Sequence, residues 1–313
     1  MLILEGRRFV LKPFDSEAEL ERVVVENAEY LFGPASIYFP KSLISTRDGA
    51  GTIPDGYVLD LERRVWYIVE AEISRHSVWS HIAPQVAKQI IAASNPVSKQ
   101  TLVDIAADRA RNDVDLQERF AEEGIHAIDI RRVLGEILAK EPIVAMPIDA
   151  VKDDLREWAT TLRIPVKLWI VRKYVEFGKP ENVMYEIPEE FGPVAATAVE
   201  DDETQTEKAR YDVTLANLID AGLVMVGQRL LMPYKPRNGD QRTYEGTICK
   251  DGSIEVLGKR FSSPSYAAIY SIQDAGSTRK TVNGWTAWRT DDGELLSIFR
   301  DRFLNAESES SDG

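Results

Sequence analysis

Residues 53–74, IPDGYVLDLERRVWYIVEAEIS, constrain the fold more than any other stretch. They predict two strands, residues 57–61 and 65–73, joined by a tight charged turn. The second run is rich in β-branched and aromatic residues. Alternation along a strand puts Trp66, Ile68, Glu70 and Glu72 on one face and Val65, Tyr67, Val69, Ala71 and Ile73 on the other. Two carboxylates at the end of an apolar strand are costly to bury without partners. Asp55, held between Pro54 and Gly56 at the head of the neighbouring strand, completes an oxygen cluster. Such a cluster suits Mg²⁺ or Mn²⁺, hard ions that prefer carboxylates and water.

The elements around this pair read as α/β. Asp15-Ser16 caps a first helix with Leu20, Val23, Val24, Ala28 and Leu31 as its apolar face, stopped by Gly33-Pro34. A strand is expected near residues 37–44. A second helix, residues 80–93, has Pro84 in its first turn. Its buried stripe is Ile82, Val86, Ile90 and Ala93, with Gln85, Lys88 and Gln89 as polar members. Helices follow near 98–108, 113–123 and 127–140. Then come a strand at 143–148, a helix at 149–162 and a strand at 166–175, an order that implies a parallel crossover.

A length of 313 residues allows one large or two ordinary domains. No apolar run approaches the ~20 residues that span a bilayer. The N-terminus lacks the pattern of a signal peptide, and the single Cys249 excludes an intrachain disulfide. A cytoplasmic protein is the expectation. The net charge of −13 argues against general polyanion binding, but it is unevenly spread. Residues 196–207 carry five acidic side chains and no basic one, and read as a linker between a domain at 1–195 and another at 208–305. That second block has 14 basic against 11 acidic side chains, as suits a DNA-contacting module. Residues 306–313 read as a disordered tail. In the second block a short helix at 214–221 precedes strands near 228–234, 243–249 and 253–257. A helix starts near Ser263-Pro264-Ser265, Asn283-Gly284-Trp285 leads a last strand, and a helix at 295–303 closes the unit.

Pro54-Asp55, fourteen residues, then Glu70-Ala71-Glu72 resembles the PD-(D/E)XK nuclease superfamily, over roughly residues 15–175. The resemblance implies a central mixed sheet flanked by helices and metal-dependent phosphodiester hydrolysis. Asp55, Glu70 and Glu72 would be the Mg²⁺ or Mn²⁺ ligands. It also implies a first-helix glutamate in the cluster, Glu21 before Glu26, and a glutamine on the following helix, Gln85, that orients water or phosphate. The superfamily's usual lysine is Glu72 here, a change of two charge units. One unit pair at 4 Å is worth about 4 kcal/mol at an effective dielectric near 20. Lys88 is a candidate for the missing cation. His76 and His81 flank the region and read more simply as structural or exposed.

The C-terminal block, a small α+β domain, resembles the RAMA domain through Gly222, Gly227, Asp251-Gly252, Gly258, Phe261, Ser263-Pro264-Ser265, Ala267-Ala268 and Asn283-Gly284-Trp285. This resemblance implies a reader of modified, methylated DNA. Ser263 and Ser265 sit at a helix start, where free N–H groups suit a phosphate. Trp285, Trp288, Tyr266 and Phe261 offer aromatic surface for a base, with Phe261 also suited to the core. Lys259, Arg260, Arg279, Lys280 and Arg289 are the phosphate-contact candidates. Together the two halves imply a modification-dependent restriction endonuclease acting on double-stranded DNA, with a homodimer able to cut both strands. The alternatives are a repair nuclease for mismatched or branched DNA, and a non-catalytic sensor of modified DNA.

Overall fold

The two expected strands pair antiparallel, with Gly56 opposite Val69 and Leu59 opposite Trp66. The computed structural model that holds them describes residues 1–42, 44, 45, 49, 51–187, 194, 195, 213–236 and 239–311. The chain divides into two units, Met1–Val199 and Glu200–Gly313. The expected linker at 196–207 lies outside the described residues.

The first unit opens with a hairpin of β1 (Leu2–Leu4) and β2 (Arg7–Lys12), followed by α1 (Glu17–Glu26) and α2 (Ala28–Phe32). Next come β3 (Ser36–Pro40), the short pair β4 (Ile44–Ser45) and β5 (Gly51–Thr52), then β6 (Gly56–Asp60) and β7 (Val65–Val69). A π-helical turn at Val78–Ile82 runs into α3 (Ala83–Ala93), and α4 (Pro96–Asn112), α5 (Val114–Glu122) and α6 (Ile130–Ala139) follow. The unit continues with β8 (Ile143–Ile148), α7 (Asp153–Ala159), β9 (Val166–Ile170), β10 (Arg172–Glu176), β11 (Lys179–Glu186) and β12 (Val194–Ala195).

Strands order as β12-β9-β8-β7-β6-β3 in a mixed sheet. The β7/β8 and β8/β9 pairs are parallel and the rest antiparallel. Parallel neighbours need crossovers, which α3 to α6 and α7 supply. The alternation expected for β7 is the one observed. Trp66 and Ile68 pack with Leu59, Leu134 and Ile137 on one face. Tyr67, Val69, Ala71 and Ile73 pack with Leu20, Val23 and Leu31 of the first two helices on the other. A second sheet runs β1-β2-β10-β11.

Several elements differ from expectation. The first helix is two, broken at Asn27, whose amide donates to Val23 O at 2.8 Å. The run 166–175 is also two strands in different sheets, divided at Val171, whose N–H donates to Ile148 O at 2.9 Å. Among the described residues no helix is long and apolar enough to cross a membrane.

The second unit comprises α8 (Leu215–Asp220), β13 (Arg229–Tyr234), β14 (Arg242–Ile248), β15 (Ile254–Val256), β16 (Lys259–Phe261), α9 (Pro264–Asp274), α10 (Gly284–Ala287), β17 (Arg289–Thr290) and α11 (Leu296–Ser311). Its antiparallel sheet, β16-β15-β14-β13-β17, packs Leu230, Ile248 and Ile254 against Ala267, Ala268, Trp288 and Leu296. Asn283-Gly284-Trp285 starts a short helix rather than a strand, because the Asn283 side chain accepts the Trp285 N–H at 3.1 Å. The segment expected to be a disordered tail is helical as far as Ser311.

Gly284 explains why the two motifs of this unit go together. A Cβ at position 284 would lie 2.1 Å from the Pro264 carbonyl carbon and 2.3 Å from Ser265 N. The Gly284 N–H donates to Ser265 Oγ at 3.1 Å, and Trp288 Nε1 donates to Pro264 O at 3.0 Å. The start of α9 is thus clamped by the Asn-Gly-Trp segment. A Gly284→Ala substitution forces backbone apart, which costs about 1–3 kcal/mol or more. Calorimetry should show the transition of this unit lowered by roughly 5 °C or more. An unchanged transition would contradict the clamp.

Candidate functional site

Asp55 sits just before β6, and Glu70 and Glu72 just beyond β7. The chain past Val69 keeps running along β8: Glu70 N–H donates to Ala145 O and Glu72 N–H to Pro147 O, both at 3.0 Å. Alternation therefore persists, and both glutamates remain buried. Asp55 is joined to this segment by the Ala71 N–H, which lies between the two glutamates in the chain and donates to Asp55 Oδ2.

Each carboxylate has its own partners. Glu70 Oε2 accepts from Gln89 Nε2 at 2.7 Å, and Gln85 Nε2 donates to Oε1. Asp55 Oδ2 accepts the Ala71 N–H at 3.0 Å. Asp55 Oδ1 lies 3.2 Å from Lys41 Nζ, which lies 2.8 Å from Glu21 Oε2. The Tyr38 hydroxyl donates to Asp55 O at 3.1 Å, and its ring covers Gly56 so closely that any Cβ there would collide with it. A side chain at position 56 would push the Tyr38 ring away from Asp55. Glu72 Oε2 faces His76 Nδ1 at 3.2 Å.

Glu21 thus joins the cluster through Lys41. Glu26 does not: it is an exposed partner of Arg22 at 3.3 Å. Lys88 is exposed on α3, so the cation near Asp55 is Lys41, which sequence reasoning missed. Nothing in its local pattern marks Lys41; only the pairing of β3 with β6 brings it there. Gln89 was legible as one of two glutamines four apart on a largely apolar helix, a spacing that puts both on one face.

Burial pushes the Glu70 carboxyl up to about 8, helped by the negative charge of Asp55. Burial likewise pushes Glu72 up to about 9, with Glu17 as the next cause. Asp55 is also raised by burial, against the opposing pull of Ala71 N–H and Lys41. The hydrogen bond to Glu21 holds Lys41 firmly charged. Carboxylates that resist ionisation through burial and mutual repulsion fit a divalent cation, which relieves both. Glu70 accepts two side-chain amides and the Asp55 N–H, which leaves about one of a carboxylate's roughly four lone-pair sites.

In the second unit, Ser263 is the N-cap of α9 and its Oγ accepts the Tyr266 N–H at 3.3 Å. Ser265 Oγ is taken by Gly284. Pro264 has no N–H, so the helix start offers a phosphate less than the sequence suggests. Trp288 is fully buried and belongs to the core, a correction to its place on an aromatic surface. Trp285 is partly buried with the Arg300 guanidinium 4.9 Å from its ring centre, and Phe261 packs 4.9 Å from Tyr270. Tyr266 remains exposed. Lys259 lies over Tyr270 at 4.6 Å, Arg260 pairs with Glu255 at 2.9 Å, and Arg289 lies in β17.

The raised pKa values have a thermodynamic consequence. An acid whose folded pKa exceeds its unfolded value near 4.5 binds its proton more tightly when folded. Its contribution is greatest below the unfolded value and declines as pH rises to the folded one. The metal-free protein should lose denaturant stability between about pH 5 and pH 9, and Glu70→Gln should flatten that slope. A pH-independent midpoint would refute the buried-carboxylate account.

No curated protein and no solved structure matches the chain. Residues 195–309, which include the whole clamp of Ser263, Ser265 and Gly284, match the family described as RAMA, Restriction Enzyme Adenine Methylase Associated.

Proposed function

We propose that the first unit is a divalent-metal-dependent deoxyribonuclease and that the second directs it to modified, methylated DNA. The observation that supports this reading is Asp55, at the head of β6, with its Oδ2 on the Ala71 N–H between the buried Glu70 and Glu72 just past β7. The order of helix, three antiparallel strands, helix and strand agrees with a PD-(D/E)XK core. The RAMA match supports a restriction-system association and a DNA-related partner.

Asp55 and Glu70 would hold Mg²⁺ or Mn²⁺, while the Glu72 carboxylate, expected as a third ligand, faces His76 and His81 instead. When bound, such an ion neutralises charge at a phosphate and lowers the pKa of water by several units. The protein's own residues do the rest. Gln85 and Gln89 fix the Glu70 carboxylate so that its remaining lone pair keeps one direction. The Ala71 N–H does the same for Asp55. Lys41, whose side chain is half exposed, would supply the positive charge that Glu72 cannot and meet a phosphate oxygen. Glu21 holds Lys41 there and keeps it protonated. On double-stranded DNA each copy would cut one strand, so a pair of copies completes the break.

The test is purified protein with Mg²⁺ or Mn²⁺ on methylated and unmethylated plasmid. Cleavage of methylated DNA alone is expected. Asp55→Ala should abolish cleavage while leaving DNA binding intact. Lys41→Ala should reduce it by about 10²-fold or more, the usual scale for losing one electrostatic stabiliser. Tight binding of methylated DNA without cutting in either metal would leave a sensor rather than an enzyme. Cleavage confined to branched or mismatched DNA would replace the restriction reading with repair.

A further inference from the structure

Glu72 turns its carboxylate toward groups that the nuclease reading does not use. His76 Nδ1 is 3.2 Å from Glu72 Oε2, and His81 Nε2 is 3.8 Å from Glu72 Oε1. Glu17, in the first turn of α1, brings Oε1 to within 3.5 Å of His81 Nε2 and into contact with His76 Nδ1. One atom from each of Glu17, Glu72, His76 and His81 lies within 4.8 Å of all the others. The two imidazoles meet edge to face with centres 4.6 Å apart, so neither ring blocks the other's nitrogen.

We propose that these four side chains form a transition-metal site of the Zn²⁺ class, separate from the oxygen-only site of Asp55 and Glu70. The distances carry the case. In a tetrahedral zinc site with bonds of about 2.0–2.1 Å, neighbouring ligand atoms are about 3.3 Å apart. Three of the four contacts, at 3.2, 3.5 and 3.8 Å, lie near that edge, the first and last to different Glu72 oxygens, and the fourth, between Glu17 and His76, is shorter. Glu17 Oε1 is shielded from solvent and pairs with His76 Nδ1, and the Glu17 carboxyl hydrogen-bonds that of Glu72. A cation at the centre of the four would take the place of the proton the two carboxyls share and relieve their repulsion. Two imidazoles and two carboxylates favour Zn²⁺ over Mg²⁺, which prefers oxygen and keeps its waters.

Several local contacts bring the four together. His76 lies in a turn, its N–H donating to Ile73 O at 3.0 Å. The Arg75 guanidinium donates to Asp15 O at 2.7 Å and to Phe14 O at 3.4 Å, drawing this turn against the start of α1 and Glu17. Ser74 N–H is held by Asp149 Oδ1 at 2.7 Å. His81 comes from the π-helical turn, a local irregularity found often at functional sites. Four protein ligands close the coordination shell, which makes the site structural. It ties α1, the turn after Glu72 and the π-helical turn into one piece.

The full-length protein, stripped with chelator, is titrated with Zn²⁺ by calorimetry and with Co²⁺ by visible absorption. One equivalent of Zn²⁺ should bind, and Co²⁺ should give the strong visible bands of a four-coordinate site. His76 and His81, but not His126, should shift in histidine NMR spectra; the sequence holds only these three histidines. His81→Ala, at a half-exposed position that tolerates truncation, should weaken Zn²⁺ binding at least about tenfold, since loss of even an outer partner costs 10–100-fold. His76→Gln should do the same, and Asp55→Asn should not. Absence of Zn²⁺ binding, or binding weakened by Asp55→Asn and indifferent to both histidine variants, overturns the site. Neither readout depends on DNA cleavage, so the nuclease reading can fail while this one stands.

Discussion

Two carboxylates buried at the end of one strand set the terms for the first unit. An ionised carboxylate inside a protein needs cations or donors around it. Glu70 obtains two amides from α3, and Glu72 obtains histidines from the turn and π-helical segment that follow it. Asp55, on the adjacent strand, takes a backbone N–H and Lys41. The helix α1 contributes at two levels: Glu17 toward the histidines and Glu21, one turn later, toward Lys41. The spacing of four residues on a helix is what lets one element serve both ends of the cluster.

These arrangements also explain why the middle of the sheet is so apolar. Trp66 and Ile68 precede the glutamates on the same face and are fully buried, so the strand is fixed in register before the charges appear. A one-residue slip would move every side chain to the other face. The antiparallel pairing of β6 with β7 and the parallel pairing with β8 fix that register from both sides.

Much of this could be read from residues 53–74 alone. Period-two alternation, the Pro-Asp-Gly entry and the Glu-x-Glu ending led to the right strands, faces and cluster. The three helices expected near 98–108, 113–123 and 127–140 are found within a few residues of those bounds, and the motifs of the second unit were legible from their ordered pieces. What escaped was non-local. Lys41 has no signature, and strand pairing is what brings it to Asp55, fourteen residues further along. Glu17 and His76 meet because Arg75 reaches the carbonyls of Phe14 and Asp15, sixty positions away. The N-terminal hairpin and β11 form a sheet with β10, and their patterns were too irregular to predict alone. Trp288 was misplaced because an aromatic residue beside a motif reads equally well as surface or core.

The Arg75 tether has an evolutionary side. It holds main-chain oxygens, and every amino acid carries one. Positions 14 and 15 are therefore open to drift as far as this link is concerned, while the guanidinium that grips them is not. In remote kin the lasting trace of this junction would be a solitary arginine three residues after a Glu-x-Glu, with no matching residue on the other side to covary with it.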